Sequence, residues 1–322
     1  MKNGIDRNSV VRKGKLNHGL RKWPFIFLAP FLVSYMVFFM YPILYSFYIS
    51  LFRWDVTEPK KFVGIQNYIK LFSSDPYFLK SVGNTFIIMV ATIPLVIFLG
   101  LFLSELLFSD GIKYRNFFQT ANYLPYITTP VAIAIIFSLM FDQKIGVVNL
   151  ALVKLGIFNE GINWLTAPNY LQRTMLVLMI VWQWTGYYML MYLAGMSSIP
   201  VEVYEAAKVD GASRFTTFRK ITVPLLSNVT SFLVITSVIY LLQLLDQPYL
   251  LLRGLGQGAQ MSIEKPLMTV MTNFMDQSLK MGRIGYGAAT TYSLFLIILV
   301  FTLIGMVVIK KGGKILEEKQ NV

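Results

Sequence analysis

Six long stretches of the chain contain no charged residue, and they constrain the fold more than any other feature. They cover residues 23–52, 81–104, 116–141, 174–201, 221–245 and 284–309. Each exceeds the roughly 20 residues that an α-helix needs to cross about 30 Å of hydrocarbon. Only helices and closed barrels can span a bilayer, and the stretches lack the strict alternation of barrel strands. The sequence therefore predicts an all-α membrane protein with six transmembrane helices.

The composition agrees with a membrane protein. Charged residues make up 14% of the chain and the mean hydropathy is +0.58, whereas soluble domains carry about 25% charged residues. The first apolar stretch, 23–52, is about twice as long as the apolar part of a cleavable signal peptide, which has roughly 7–15 residues. We therefore expect it to remain as a membrane anchor.

The distribution of basic residues predicts the orientation. We expect a basic cytoplasmic tail at 1–22, a six-span domain at 23–311 and a second cytoplasmic tail at 312–322. Six spans place both termini on one side, and 17 of the 29 lysine and arginine residues fall there. The positive-inside rule puts that side in the cytoplasm. The net charge of +13 thus reflects topology, and no nucleic-acid partner is predicted.

Several kinds of chemistry are excluded by the residues present. The chain has no cysteine and a single histidine, His18, so a thiolate nucleophile or a multi-histidine metal site cannot form. No G-x-x-x-x-G-K-[ST] phosphate loop occurs, which excludes ATP hydrolysis by that route. We predict no catalytic residue, no metal and no cofactor bound by this chain.

A charged segment, "EAAKVDGASRFTTFRKITVP", separates the fourth and fifth apolar stretches. Pro200 suits the start of a helix, and Gly211 suits its left-handed end. Ser213 can cap a second helix over 214–222, and Pro224 resets the chain before the next span. Local physics leaves two interpretations open. The segment is either a linker lying on the lipid headgroups or a rigid element that contacts a partner.

A family resemblance favours the second interpretation. Glu205-Ala206-Ala207, Gly211 and the group Ile221-x-Val223-Pro224 have the spacing of the EAA loop of ABC importer membrane subunits, in which leucine usually precedes the proline. The segments "FLAPFLVSYMVFFMYPILYSFYISLFRWD" and "YLPYITTPVAIAIIFSLMFD" resemble carbohydrate-importer permeases of the maltose-transporter type. The resemblance covers nearly the whole chain from Trp23.

The resemblance implies a multi-pass protein of a bacterial cell membrane and three kinds of protein partner. These are a second homologous permease, a cytoplasmic ABC ATPase dimer that binds the ATP, and an external solute-binding protein. It also implies that the loop at 200–224 is a coupling-helix hairpin that docks into the ATPase. The coupling residues implied are Glu205, Ala206, Ala207, Gly211, Ile221 and Pro224.

Polar residues within the fourth and fifth spans indicate a substrate path, because such residues are costly inside a membrane. Thr236, Tyr240, Gln243 and Gln247 are spaced to share one helix face. The predicted path consists of Gln183, Tyr187, Tyr240, Gln243 and Asp246. Amide and carboxylate groups beside aromatic rings suit a sugar. The alternative is that these residues only form interhelical hydrogen bonds and aromatic packing.

The predicted function is that of a permease subunit in an ATP-driven importer of a di- or oligosaccharide. A phosphorylated polyol such as glycerol phosphate is the alternative substrate, although no lysine or arginine lies in any of the six stretches. An intramembrane enzyme would need a buried catalytic pair, which the spans do not offer. An ion channel would need no hairpin for an ATPase.

Overall fold

The structure is a computed structural model that describes residues 23–57, 60–109, 112–164, 166–254 and 265–320. The predicted tail at 1–22 and most of the glycine-rich stretch 253–262 lie outside these residues. Two short strands, β1 (Phe52–Arg53) and β2 (Lys61–Phe62), pair antiparallel. All other regular structure in the described residues is helical. They form two compact units that divide between Ile49 and Ser50.

The helices follow one another closely along the chain. In order they are α1 (Trp23–Tyr35), α2 (Tyr41–Ser50), α3 (Gln66–Ser73), α4 (Pro76–Phe108), α5 (Arg115–Ile127), α6 (Pro130–Met140), α7 (Val147–Lys154), α8 (Asn169–Ser197), α9 (Val201–Val209), α10 (Arg214–Thr217), α11 (Val223–Leu225), α12 (Ser227–Leu242), α13 (Asp246–Gly254), α14 (Val270–Met275) and α15 (Ile284–Gln320). Three π-helical turns occur among them, at Met36–Met40, Phe218–Thr222 and Asp276–Lys280.

Six spans can be counted in the described residues, of which four are unbroken. The unbroken ones are Phe25–Ser50, Pro76–Phe108, Asn169–Ser197 and Ile284–Val307. The other two are bent pairs, α5 with α6 at 98° and Arg214–Leu225 with α12 at 62°. The prediction of an all-α fold with six apolar spans is confirmed, and the bends are a feature that the apolar stretches do not reveal.

The sharper bend lies between α5 and α6. Helix α5 ends at Ile127, and Thr128 and Thr129 both adopt extended backbone with ψ near 141°. A residue before proline avoids the helical region, which accounts for Thr129. Pro130 then occupies the first turn of α6, and the Thr129 hydroxyl accepts a hydrogen bond from the amide of Ala132 at 3.4 Å. The Thr-Thr-Pro sequence thus ends one helix and starts the next.

The fifth apolar stretch is interrupted at both ends. Near its start, the chain bends by 62° at Leu226, between α11 and α12. The π-helical turn Phe218–Thr222 lies just before Pro224, which has no amide hydrogen for an α-helical bond. Near its end, α12 stops at Leu242 and α13 begins at Asp246. The prediction that Tyr240 and Gln247 share one face of a single helix is therefore wrong. They belong to two helices joined by a tight turn.

Helix α14 supports this turn from the loop between the fifth and sixth apolar stretches, which six spans with cytoplasmic termini would place outside the cell. The Thr269 hydroxyl donates to the Leu244 carbonyl at 2.6 Å, in a fully buried position. Thr269 is also the N-cap of α14, where its side chain accepts from the Thr272 amide at 3.2 Å. One threonine therefore satisfies the free carbonyl of the turn and a free amide of the next helix.

The core of the larger unit is built around α8. Its buried side chains include Met175, Met179, Ile180, Tyr192 and Met196. A Cβ atom added to Gly100 of α4 would lie 2.5 Å from the Cβ of Tyr188, so α4 and α8 are in close backbone contact. Gly186 makes a similar contact with α5, because its added Cβ would lie 1.9 Å from the Asn122 carbonyl oxygen. Small residues at such crossings are typical of membrane helices.

Candidate functional site: an aromatic cavity and an exposed hairpin

A cavity of about 700 Å³ lies beside α8 and α12 and extends to the turn after α12. Thirteen residues line it: Tyr126, Trp184, Tyr187, Tyr188, Phe232, Thr236, Tyr240, Gln243, Leu244, Leu245, Asp246, Gln247 and Met271. They come from α5, α8, α12, α13, α14 and the turn at 243–245. The cavity is partly open, and Tyr240, one of its lining residues, is 63% exposed.

Aromatic rings form much of the cavity wall. Tyr126 and Tyr187 are stacked with ring centroids 4.7 Å apart, which joins α5 to α8. Trp184 and Tyr240 meet edge to face at 5.8 Å, which joins α8 to α12. Tyr188 is held deeper by a hydrogen bond between its hydroxyl and that of Ser237. The rings are thus fixed by contacts between helices that also form the wall.

The polar lining residues cluster at the turn between α12 and α13. Gln243, Asp246 and Gln247 lie there, and Thr236 lies farther back on α12. The Gln247 side-chain amide donates to Gln183 Oε1 at 3.1 Å in a buried position. Among the described residues that line the cavity, Asp246 alone carries a charge. The site therefore combines aromatic surface with amide groups and one carboxylate.

Four of the five predicted path residues line this cavity, namely Tyr187, Tyr240, Gln243 and Asp246. Gln183 is 4% exposed and lies behind Gln247, outside the lining. Gln183 therefore holds the side-chain amide of Gln247 in place through their hydrogen bond. Contact of any of these residues with substrate remains a prediction.

Some lining residues were missed by the sequence reasoning. Tyr126 lies just before the break between α5 and α6, and the Thr-Thr-Pro sequence that follows was a usable signal for it. Met271 belongs to α14, which reaches the cavity from a segment predicted to be external. No local pattern in that segment indicates a contact with α12.

The capped turn of the hairpin at 200–224 has the structure that the sequence predicts, but the predicted second helix over 214–222 is α-helical only to Thr217 and continues as the π-helical turn Phe218–Thr222. Gly211 adopts a left-handed conformation with φ of 74°. The amides of Ala212 and Gly211 donate to the carbonyls of Ala207 and Lys208 at 2.9 and 3.1 Å, a Schellman motif that closes α9. Ser213 caps α10 by accepting from the Thr216 amide at 3.2 Å.

The hairpin presents one side outward and attaches the other to the helices. Glu205, Ala206 and Pro224 are exposed, and Val209 is 88% exposed. Ala207 is buried, and Ile221 is partly buried. Exposed apolar and acidic groups on a well-capped helix form a surface suited to a protein partner.

Among the described residues, no group of three or more histidine, aspartate or glutamate side chains is arranged to hold a metal ion.

Comparison with known proteins identifies the family. Residues 76–311 match the family described as "Binding-protein-dependent transport system inner membrane component". The chain is 35% identical to the lactose transport system permease protein LacF of Rhizobium radiobacter over 277 residues, covering 86% of this chain and 90% of that protein. It is 33% identical to the arabinooligosaccharides transport system permease protein AraP of Bacillus subtilis over 288 residues, covering 88% and 87%.

A solved structure shares the fold. It is a bacterial alginate ABC transporter in complex with an alginate pentasaccharide-bound periplasmic protein. The TM-score is 0.73 at 22% identity, covering 88% of this chain and 93% of that chain. The chain therefore belongs to the family of binding-protein-dependent transport system inner membrane components, and its predicted resemblance to carbohydrate-importer permeases is confirmed.

Proposed function

We propose that this chain is a permease subunit of an ATP-driven ABC importer and that it moves a neutral di- or oligosaccharide into the cytoplasm. The observation that carries the proposal is the cavity, in which stacked and edge-to-face aromatic rings lie beside two amides and a carboxylate. Relatives named for lactose and arabinooligosaccharide transport support the same class of substrate.

The chemistry of the lining suits a sugar. Aromatic faces pack against the C–H surfaces of a pyranose ring, while Gln243, Asp246 and Gln247 can hydrogen-bond to hydroxyl groups. The volume of about 700 Å³ lies within the roughly 300–1,000 Å³ of small-molecule sites. The part of the cavity lining that the structure describes holds no lysine or arginine. A phosphorylated polyol would therefore meet Asp246 without a compensating cation, which disfavours it.

The hairpin would supply the connection to ATP. In this proposal both termini are cytoplasmic, and α9 and α10 dock on an ABC ATPase dimer that binds and hydrolyses the ATP. Glu205, Ala206, Ala207, Gly211, Ile221 and Pro224 shape that contact. A second homologous permease completes the membrane unit, and an external solute-binding protein delivers the sugar. This chain itself is not the enzyme.

Paired substitutions test the cavity. We expect Trp184→Ala to lower sugar uptake by about tenfold or more, since truncation of a buried aromatic contact costs at least 1.4 kcal/mol, a factor of ten. Trp182→Ala is the matched control, because Trp182 packs on Phe137 and is absent from the lining. Equal uptake by the two variants, or uptake competed by glycerol phosphate, would contradict the proposal.

Charge reversal tests the hairpin. In this proposal Glu205 contacts a basic residue of the ATPase. We expect Glu205→Lys to abolish uptake while the protein still inserts, because two like charges at that contact cost at least the roughly 2–5 kcal/mol of truncating a buried pair. Glu202→Lys changes the net charge by the same amount, and Glu202 is also exposed on α9. It should keep most of the uptake. If both variants transport normally, the hairpin is only a linker.

Cysteine labelling tests the orientation. The chain has no cysteine, so single variants can be treated with an impermeant maleimide on intact cells. Lys61→Cys, on β2, should react, and Ser213→Cys, in the hairpin, should not. The sequence also predicts that Gly258 is external, although this residue lies outside the described part of the structure. The reverse labelling pattern would overturn the cytoplasmic placement of the hairpin.

A further inference from the structure

The hairpin is attached to a helix that is remote from it in sequence. Arg214, the first residue of α10, donates from Nε to Glu105 Oε1 at 3.1 Å. Its Nη2 donates to the backbone carbonyl oxygen of Glu105 at 3.0 Å. Glu105 lies in the last turn of α4, which ends at Phe108. One guanidinium therefore contacts both a side chain and the backbone of the same residue.

This geometry fits the end of a helix. The last four carbonyls of an α-helix have no partner within the helix, and the carbonyl of Glu105 is one of these in α4. A cation near a helix C-terminus also interacts favourably with the helix dipole. Arginine can make both hydrogen bonds through its planar fork, whereas lysine would offer only a single compact charge.

A second contact joins the other arm of the hairpin to the same place. The rings of Tyr204, on α9, and Phe108, at the end of α4, lie with centroids 5.8 Å apart. Both arms of the hairpin therefore touch the last turn of α4. A displacement of the hairpin would therefore be transmitted to α4 through these contacts, as well as to α8 and α12 through the polypeptide chain.

Helix α4 in turn is in close contact with the cavity wall. A Cβ atom added to Gly100 of α4 would lie 2.5 Å from the Cβ of Tyr188 and 3.1 Å from the backbone carbonyl carbon of Tyr188. Tyr188 lines the cavity. Because packed interiors have little free volume, a shift of α4 along this contact must be shared by α8.

We propose that Glu105 and Arg214 are positioning residues that fasten the hairpin to α4 and thereby transmit its movement to the substrate cavity. This inference rests on the proposed function, in which the hairpin docks on the ATPase. The side chains of Arg214 and Glu105 are 60% and 21% exposed. An ion pair this exposed contributes little to folding stability, so variants that break it should still fold.

Charge reversal and exchange test the pair. In the complex with its ATPase, we expect Glu105→Arg and Arg214→Glu each to lower sugar uptake by about fivefold or more, the lower end of ordinary coupling effects. ATP hydrolysis and co-purification of the ATPase should persist, which a general structural defect would not allow. The double exchange restores opposite charges and should recover more than half of the uptake.

Arg219→Glu is the matched control. Arg219 is also exposed, lies five residues further along the same arm and would contribute equally to binding lipid headgroups. It should keep more than half of the uptake. The proposal is overturned if Arg219→Glu is as harmful as Arg214→Glu, or if the double exchange is no better than the worse single variant.

These variants also distinguish a failure of the Glu105–Arg214 pair from a failure of the proposed docking on the ATPase. If the single reversals leave uptake intact while Glu205→Lys abolishes it, the hairpin still docks on the ATPase and only the role of the pair is wrong. If Glu205→Lys is also without effect, the proposed docking fails.

Discussion

Helices α4 and α8 cross the molecule without a break, whereas the third and fifth spans are divided by bends of 98° and 62°. The unbroken helices touch through Gly100, with no space left between their backbones. Irregular backbone also follows the fifth span, where the Thr269 hydroxyl satisfies the Leu244 carbonyl in the turn after α12, and the cavity lies beside this turn. The closely packed α8 thus gives the cavity the aromatic residues Trp184, Tyr187 and Tyr188, whereas the turn after α12 gives it the two amides and the carboxylate.

The contrast has a physical reason. A continuous helix bonds nearly all of its own amides and carbonyls, so its surface can be apolar and closely packed. A broken helix leaves some of these groups free, and irregular backbone at membrane depth is tolerated only within protein or beside a water-filled cavity. The turn after α12 is an irregular segment of this kind, and the polar side chains of Gln243, Asp246 and Gln247 lie there.

The largest effect is expected where the unbroken α8 meets the broken third span. Gly186→Ala would place a Cβ 1.9 Å from the carbonyl oxygen of Asn122. Because the obstacle is backbone, we expect a loss of about 3 kcal/mol, the upper end of the usual range for overpacking. A lower midpoint of thermal unfolding in detergent would show it. Gly83→Ala, with no atom within 4 Å of the added Cβ, is the control and should be neutral or slightly stabilising.

The next effect concerns the turn after α12. Thr269→Val would leave the Leu244 carbonyl and the Thr272 amide without the hydroxyl, at a cost of about 1–3 kcal/mol. Thr291→Val removes a hydroxyl that donates within the unbroken α15, to Gly287 at 3.2 Å, and should cost less. Thermal unfolding of both variants compares them. Equal losses would mean that the Thr269 hydroxyl stabilises the turn after α12 no more than an ordinary hydroxyl stabilises a continuous helix.

A smaller effect is expected at the contact between α8 and α12. Ser237→Ala would deprive the Tyr188 hydroxyl of its partner, and hydrogen bonds between membrane helices contribute about 0.6 kcal/mol on average. Adding Tyr188→Phe should recover part of the loss, since neither helix then carries an unpaired hydroxyl. A double variant that is less stable by the sum of both single losses would show that the two groups do not interact.

The smallest effect concerns the far end of the broken third span. Hydrogen bonds from the backbone amides of Ile145 and Lys144, at 3.0 and 2.8 Å, hold the pKa of Asp142 below its usual value. A carboxylate with a lowered pKa stabilises the fold above the ordinary pKa of about 3.9, and this contribution is lost as the pH falls through the folded pKa.

Asp142→Asn should therefore be slightly less stable than the original protein at neutral pH. The difference should shrink as the pH falls below about 4. Thermal unfolding across this range measures it. A difference that does not change with pH would mean that the charge of Asp142 has no part in holding the end of α6.

Local signals in the sequence were sufficient to predict the capped turn of the hairpin. Gly211 and Ser213 end one helix and begin the next through hydrogen bonds that span three to five residues. Such bonds depend on residue type and spacing alone, so they can be predicted without knowledge of the fold. The same holds for the break at Pro130, for which the Thr-Thr-Pro sequence was an available signal.

The candidate cavity was only partly predictable. Tyr187, Tyr240, Gln243 and Asp246 were expected to be near each other, and they line one cavity. The predicted helix face shared by Tyr240, Gln243 and Gln247 was wrong, because α12 ends at Leu242 and Gln247 belongs to α13. Tyr187 and Tyr240 line one cavity because α8 packs on α12, and Gln243 and Asp246 join them at the turn after α12. The spacing of side chains along the sequence does not encode such a turn.

The sequence by itself determined which segments avoid water, how many times the chain can cross a membrane, and how the hairpin is capped. These properties depend on composition and on neighbours within one or two turns. Only the tertiary structure decided the direction of each broken span, the placement of Gln183 behind Gln247 and the arrival of Met271 at the cavity. Apolar stretches report the cost of exposure to water, which is the same for any orientation within the bilayer, whereas contacts between distant residues depend on how the helices pack.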